Sequence, residues 1–140
     1  MAGHLLLLVR TALQRYIVSR EDVLEIKLVL GAADLLVDDP HGRAYVGAEL
    51  GPLLDPADQS SLRRRHALII PLRRRLVALL ADQVELFQEH ARIEPLPALL
   101  KEQLRQPWAI GALLLDTDVV VQLDLREVAR TVLMRQSNEP

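Results

Sequence analysis

The chain has 140 residues, 17 basic against 19 acidic side chains and no cysteine, which excludes disulfides, thiolate metal ligands and thiolate nucleophiles together. A chain of this length buries about 68–70% of its unfolded surface, enough for one domain with a real core. Half of the residues are hydrophobic but only 3% are aromatic, so Leu, Val, Ala and Ile fill the interior, and the near-balanced charge gives the molecule as a whole no footprint for nucleic acid or an anionic membrane.

Leu5–Val9 is an apolar run too short for a signal-peptide core, with no Lys or Arg before it, and reads as a strand buried on both faces. Thr11–Gln14 connects it to a second strand over Arg15–Val18. Ser19, with Asp22 three residues on, is a shortened capping box that predicts a helical turn over Arg20–Leu24, and Glu25–Leu30 returns to strand composition. Asp38-Asp39-Pro40-His41-Gly42 is the clearest turn signal, because Pro presets φ and Gly permits positive φ, and it joins Leu35–Val37 to Arg43–Val46 as a hairpin. Gly51-Pro52 and Asp55-Pro56 punctuate the next stretch, and Asp58 to Arg65 is a polar connection.

A second hairpin runs through His66–Ile70, turns over Arg73-Arg74-Arg75 and returns along Leu76–Leu80, ahead of an acidic-apolar segment, Asp82–Phe87. Ile93-Glu94-Pro95-Leu96-Pro97 interrupts regular structure, and Ala98–Gln106 places Leu99, Leu100 and Leu104 on one face of a short helix. Ala112–Leu115, an Asp116-Thr117-Asp118 turn and Val119–Leu123 form a last strand pair. Asp124 is the N-cap of a final helix over Leu125–Met134, with Leu125, Val128, Ala129, Val132 and Leu133 on one face, and Gln136 to Pro140 fray. The sum is eight to ten short strands, most of them antiparallel because the loops are short. No stretch approaches the ~18–20 apolar residues of a membrane span.

The chain repeats itself. His4–Leu8, Tyr16–Val18 and Glu21–Ile26 resemble His66–Ile70, Leu76–Leu80 and Asp82–Phe87 in order and character. Leu30-Gly31-Ala32 likewise resembles Ile110-Gly111-Ala112, and Ala48-Glu49-Leu50 ahead of Leu53-Leu54 resembles Leu123-Asp124-Leu125 ahead of Val128. This predicts one domain over residues 1–140 made of two similar halves, with a boundary near 56–66.

No catalytic constellation stands out. His4, His41, His66 and His90 have no metal-ligand spacing, and the Asp38-Asp39 and Asp116/Asp118 pairs fall in predicted hairpin tips, where Asp serves turn chemistry. No Gly-x-Ser-x-Gly elbow or phosphate-cradling glycine loop is present. Arg63-Arg64-Arg65 and Arg73-Arg74-Arg75 flank one hairpin and together make a candidate phosphate-binding patch. Solvated turn charges or an acidic protein partner compete with that reading, because no aromatic is interleaved for base stacking. Trp108 is either a core plug or an exposed partner anchor, and Gly31 and Gly111 mark a close backbone approach or a bulge.

Tyr16-Ile17-Val18-Ser19-Arg20-Glu21-Asp22-Val23-Leu24-Glu25-Ile26, Val77–Val84, Ile93–Pro97, Ile110-Gly111-Ala112 and Leu123-Asp124-Leu125, in this order, resemble the CheW-like domain of bacterial chemotaxis coupling proteins. The resemblance implies a mostly β fold of two packed, SH3-like, five-stranded β-barrels with short helices and a C-terminal helix. It also implies a cytoplasmic, non-enzymatic adaptor without cofactor, metal or small-molecule substrate, which docks a CheA-type histidine kinase, a chemoreceptor cytoplasmic tip, or both. Family positions map partner contacts onto Val23, Glu25, Ile26, Gly31, Val84 and Gly111. Where the family reads Gly-Val-x-Asn-Leu-Arg-Gly, this chain has Gly31-Ala32-Ala33-Asp34-Leu35-Leu36, and Leu36 cannot supply the ion pair or carbonyl cap of an Arg. That departure opens two other readings: a diverged scaffold of the same fold without kinase coupling, and a small basic-hairpin module that binds nucleic acid.

Overall fold

The two hairpins read from the sequence become the centres of two separate sheets. A computed structural model of the chain describes residues 5–30, 44–87, 94–95, 108–115 and 118–137. Strands β1 (Leu6–Arg10) and β2 (Arg15–Ser19) pair antiparallel, as do β5 (Arg65–Pro71) and β6 (Arg75–Ala81). The strand that follows each hairpin leaves for the other sheet: β3 (Glu25–Val29) pairs with β5, and β7 (Gln83–Phe87) pairs with β1. Each sheet also receives a parallel strand, β10 (Asp118–Leu123) beside β2 and β4 (Ala44–Glu49) beside β6.

One sheet therefore contains the order β7-β1-β2-β10 and the other is β3-β5-β6-β4, the same plan twice. The first continues through β9 (Ala109–Leu115) to the two-residue β8 (Glu94–Pro95), so the described strands divide six and four. The fold is mostly β, in two small β units with a C-terminal helix. No cut in the chain near residues 56–66 separates the sheets, because β3 and β7 cross that point in opposite directions. Among the described residues the expectation that strands are mostly antiparallel holds for every pair except the β10/β2 and β4/β6 pairs, whose partners are far apart in sequence.

Both faces of each central hairpin are buried, which is why their apolar runs are continuous rather than alternating. Leu7, Val9 and Val18 meet Leu68, Ile70, Val77 and Leu79 in a core shared by the two sheets. The alternate residues point away from it into private clusters, Leu8 and Ile17 with Leu113, Leu115 and Val120 on one side, and Ala67, Ile69, Leu76 and Ala78 with Val29 on the other. Trp108 is buried in the shared core and its carbonyl accepts the Asp124 N–H at 2.7 Å, so it is a core plug.

Helix α1 (Leu50–Leu54) follows β4 and helix α2 (Leu125–Ser137) follows β10, with Leu50 and Leu125 both fully buried at the matching first positions. The Gly51-Pro52 pair does not break α1, because Pro52 lies in the first turn, where no intrahelical N–H bond is required. The carboxylate of Asp124 caps α2 by accepting the N–H groups of Arg126 at 3.1 Å and Glu127 at 3.3 Å. Glu49, its counterpart before α1, makes no such cap and instead pairs with Arg65.

The turn after β2 is a 3-10 turn over Arg20–Asp22, and Ser19 does not cap it through its side chain. Arg20 closes it by donating to the Val23 carbonyl at 2.6 Å. The bulge expected near Gly111 is at Ile110: Gln122 faces Gly111 while Leu123 faces Ala109, leaving Ile110 as the extra residue. Asp38–Gly42, the Leu35–Val37 arm and the Ala98–Gln106 helix lie outside the described residues.

Candidate docking surface

Strand β3 has its polarity inverted. Glu25, Lys27 and Val29 share one face, and Val29 is buried in a private core cluster, with Lys27 and Glu25 half-buried beside it and paired to each other at 3.6 Å. The other face carries Leu24, Ile26, Leu28 and Leu30, which are 49%, 37%, 46% and 71% exposed. Both outward positions of the strand, Ile26 and Leu28, and the residues that flank it, Leu24 and Leu30, are thus apolar and exposed, on a strand that lies at a sheet edge among the described residues. A strand that faced water on that side would carry polar residues there, and a contiguous apolar stripe of this kind is a candidate interaction surface.

The second edge strand, β7, offers a smaller version. Leu86 lies opposite Leu7 in the β1 register just as Ile26 lies opposite Leu68 in the β5 register, so the two occupy matching places in the two sheets. Leu86 is exposed, and Val84, two residues before it on the same face, is half-buried against the shared core.

The residues expected to contact a partner divide accordingly. Ile26 is on the exposed stripe, whereas Glu25 is on the opposite face of β3, half-buried and paired with Lys27. Val23, just after the 3-10 turn, is 4% exposed and part of the shared core. Gly111 is likewise buried, between β8 and β10 in the sheet. Gly31 lies outside the described residues. Leu24, Leu28 and Leu86 were not singled out from the sequence, although the string Leu24-Glu25-Ile26-Lys27-Leu28 already shows the alternation, without saying which face is wet.

The basic triplets do not form one patch. Arg65 is buried at the start of β5, pairing with Glu49 and lying 3.4 Å from Asp82. This contact with Asp82 is off-axis for a hydrogen bond, so the Arg65 Nε and Asp82 Oδ1 atoms attract each other without closing one. Arg65 thus ties β4 to the β6–β7 corner and has a structural role. Arg63 and Arg64 remain exposed at that end, whereas Arg73–Arg75 lie beyond the other end of a seven-residue strand, roughly 20 Å away.

His66, Asp118 and Asp58 make contacts within the fold. His66 is half-buried, its Nδ1 lying 3.2 Å from the Asp82 carbonyl, and the other three histidines are outside the described residues. Asp118 pairs with Arg15 at 3.2 Å. Asp58 is 1% exposed, and it ties the connector to the β1–β2 tip by accepting the Thr11 hydroxyl and, at 3.1 Å, the Leu13 N–H. Burial, with Asp58 and then Asp55 nearby, pushes the Tyr16 phenol up to about 12. Among the described residues no group of three or more His, Asp or Glu is placed to hold a metal ion, and no helix is long and apolar enough to cross a membrane.

No protein-family model matches the chain, and no curated protein sequence does. Two sheets of one strand plan, joined through a shared core and closed by a C-terminal helix, define a CheW-like fold. The scaffolding protein TtCheW from Thermoanaerobacter tengcongensis superimposes with a TM-score of 0.60 at 14% identity, covering 89% of this chain and 86% of that one.

Proposed function

We propose that the chain is a non-enzymatic adaptor in chemotaxis-type signalling, acting in the cytoplasm to link a CheA-type histidine kinase to a chemoreceptor tip by surface docking. The single observation that carries this reading is the inverted strand β3, whose outward side chains Ile26 and Leu28 are apolar and exposed, as are Leu24 and Leu30 at its two ends. Glu25 and Ile26, two of the positions drawn from the family resemblance, fall on that strand, and Val84 falls on the matching edge strand β7. An adaptor needs two surfaces for two partners, and repetition of one strand plan supplies two apolar edges of unequal size. We assign the larger, on β3, to the kinase and the smaller, around Val84 and Leu86, to the second partner. The domain spans residues 1–140, as two related β-barrel subdomains that exchange the strand after each hairpin.

A second reading, a scaffold of this fold without kinase coupling, is favoured by Leu36 in the place of the family's Arg. Sedimentation of the chain with a CheA-type regulatory domain and a receptor cytoplasmic fragment separates the two. A ternary species that loses the kinase in an Ile26→Thr/Leu28→Thr variant and loses the receptor in a Leu86→Thr variant supports the adaptor. A complex with the receptor fragment alone supports the diverged scaffold.

A further inference from the structure

Five arginines from two elements converge on one cavity that the docking reading does not use. The tight turn of the β5–β6 hairpin, closed by the Leu72 N–H donating to the Arg75 carbonyl at 2.9 Å, puts Arg73 and Arg74 at its tip and Arg75 at the start of β6. Helix α2 packs on β5 and β6 through Leu125, Val128, Ala129 and Val132. Its positions 126, 130 and 133, spaced by four and three residues, form a second stripe that turns toward the hairpin tip. Arg73, Arg74, Arg75, Arg126 and Arg130 then line a cavity of about 470 Å³ with Leu72 and Leu133.

The charge in this cavity is compensated on the helix side but not at the hairpin tip. Glu127 pairs with Arg130, and Asp22 and Asp124 lie on the side of Arg126. Among the described residues Arg73, Arg74, Arg75 and Arg126 make no ion pair. Five exposed guanidinium groups border one cavity on a chain whose formal net charge is −2, so an anion that enters it meets a locally positive field.

We propose that this cavity binds a compact anion carrying two or more phosphate groups. Its volume falls within the ~300–1,000 Å³ of small-ligand sites. The planar fork of Arg matches phosphate oxygens two at a time, and every cation lining the cavity is Arg. The lining has no aromatic ring on which a base would stack, so recognition is of the phosphates. The site is concave and local, and Arg63 and Arg64 at the far end of β5 do not extend it into the stripe that a nucleic-acid backbone needs.

The test is calorimetric titration of the full chain with inorganic pyrophosphate, comparing an Arg74→Gln/Arg126→Gln variant with an Arg63→Gln/Arg64→Gln control of equal charge change. Saturable binding of one pyrophosphate per chain, weakened at least about tenfold in the cavity variant and unchanged in the control, is the expected result. Absence of saturable binding, or equal weakening in both variants, overturns the site. Duplex DNA bound more tightly than pyrophosphate, and lost equally in both variants, overturns it in favour of a nucleic-acid surface.

Discussion

Val23 and Ile26 are three residues apart, and the fold gives them opposite fates, which a Val23→Ala substitution exposes. Val23 is 4% exposed in the core shared by the sheets. Removing two buried methyl groups forfeits about 1.6 kcal/mol of transfer free energy at about 0.8 kcal/mol each. The hole left between two packed sheets adds roughly 1 kcal/mol, so the expected loss is about 2–3 kcal/mol. For a domain of this size each kcal/mol moves the melting temperature by about 3–4 °C, giving a drop of roughly 6–12 °C in differential scanning calorimetry. Ile26→Thr keeps a β-branched residue on the exposed face and costs about 1 kcal/mol or less. Partner binding is expected to follow the reverse order, with Val23→Ala retaining affinity at a temperature where it is folded. Equal melting shifts, or loss of partner affinity in Val23→Ala with its melting temperature unchanged, would refute the placement of Val23 in the core.

Three further outcomes follow from the same geometry. Gly51→Ala places a Cβ 2.5 Å from the Asp58 carbonyl oxygen, too close for any side chain to relieve, and urea unfolding is expected to show a loss of about 1–3 kcal/mol. Asp58→Ala removes the acceptor of the Leu13 N–H and leaves the Thr11 hydroxyl only its 3.2 Å contact with the Gln14 carbonyl at the first hairpin tip, so thermal unfolding is expected to show about 1–3 kcal/mol lost, with hydrogen exchange accelerated first at residues 11–14. The Tyr16 phenol holds its proton in the folded state up to about pH 12 but releases it near 10 when unfolded; the folded chain binds more protons in that window and stability falls as pH rises through it. Tyr16→Phe should flatten that alkaline decline, and an unchanged decline in a pH-dependent melting series would count against the burial of the phenol.

The parts of the fold legible in the sequence are those set by local signals. Thr11–Gln14 as a tip, the two hairpins and the helix capped by Asp124 all rest on turn residues, apolar runs and one-face periodicity, and each lies within one or two residues of its expected bounds, apart from the longer C-terminal end of α2. The hairpin match slipped by one residue: aligned on their tips, Leu7 corresponds to Leu68, not Ile69. Runs buried on both faces have no alternation to pin a register, so a slip that would invert an amphipathic strand goes unmarked. The strand exchange was illegible for a similar reason, since nothing local in Glu25–Val29 or Gln83–Phe87 says which hairpin each will join. The Arg73–Arg75 triplet was visible in the sequence, but its grouping with Arg126 and Arg130 needed the helix to be laid across the hairpin tip.

Titration of the purified chain with the regulatory domain of a CheA-type kinase from the same organism, followed by calorimetry, tests the adaptor reading most directly, with the folded Ile26→Thr/Leu28→Thr variant run alongside. The account predicts saturable binding that weakens at least about tenfold in the variant, since two exposed apolar side chains of the inverted strand lose their contacts. Binding of equal strength in the variant, or no heat with the kinase domain, would contradict the assignment of β3 as the surface that couples this fold to its kinase.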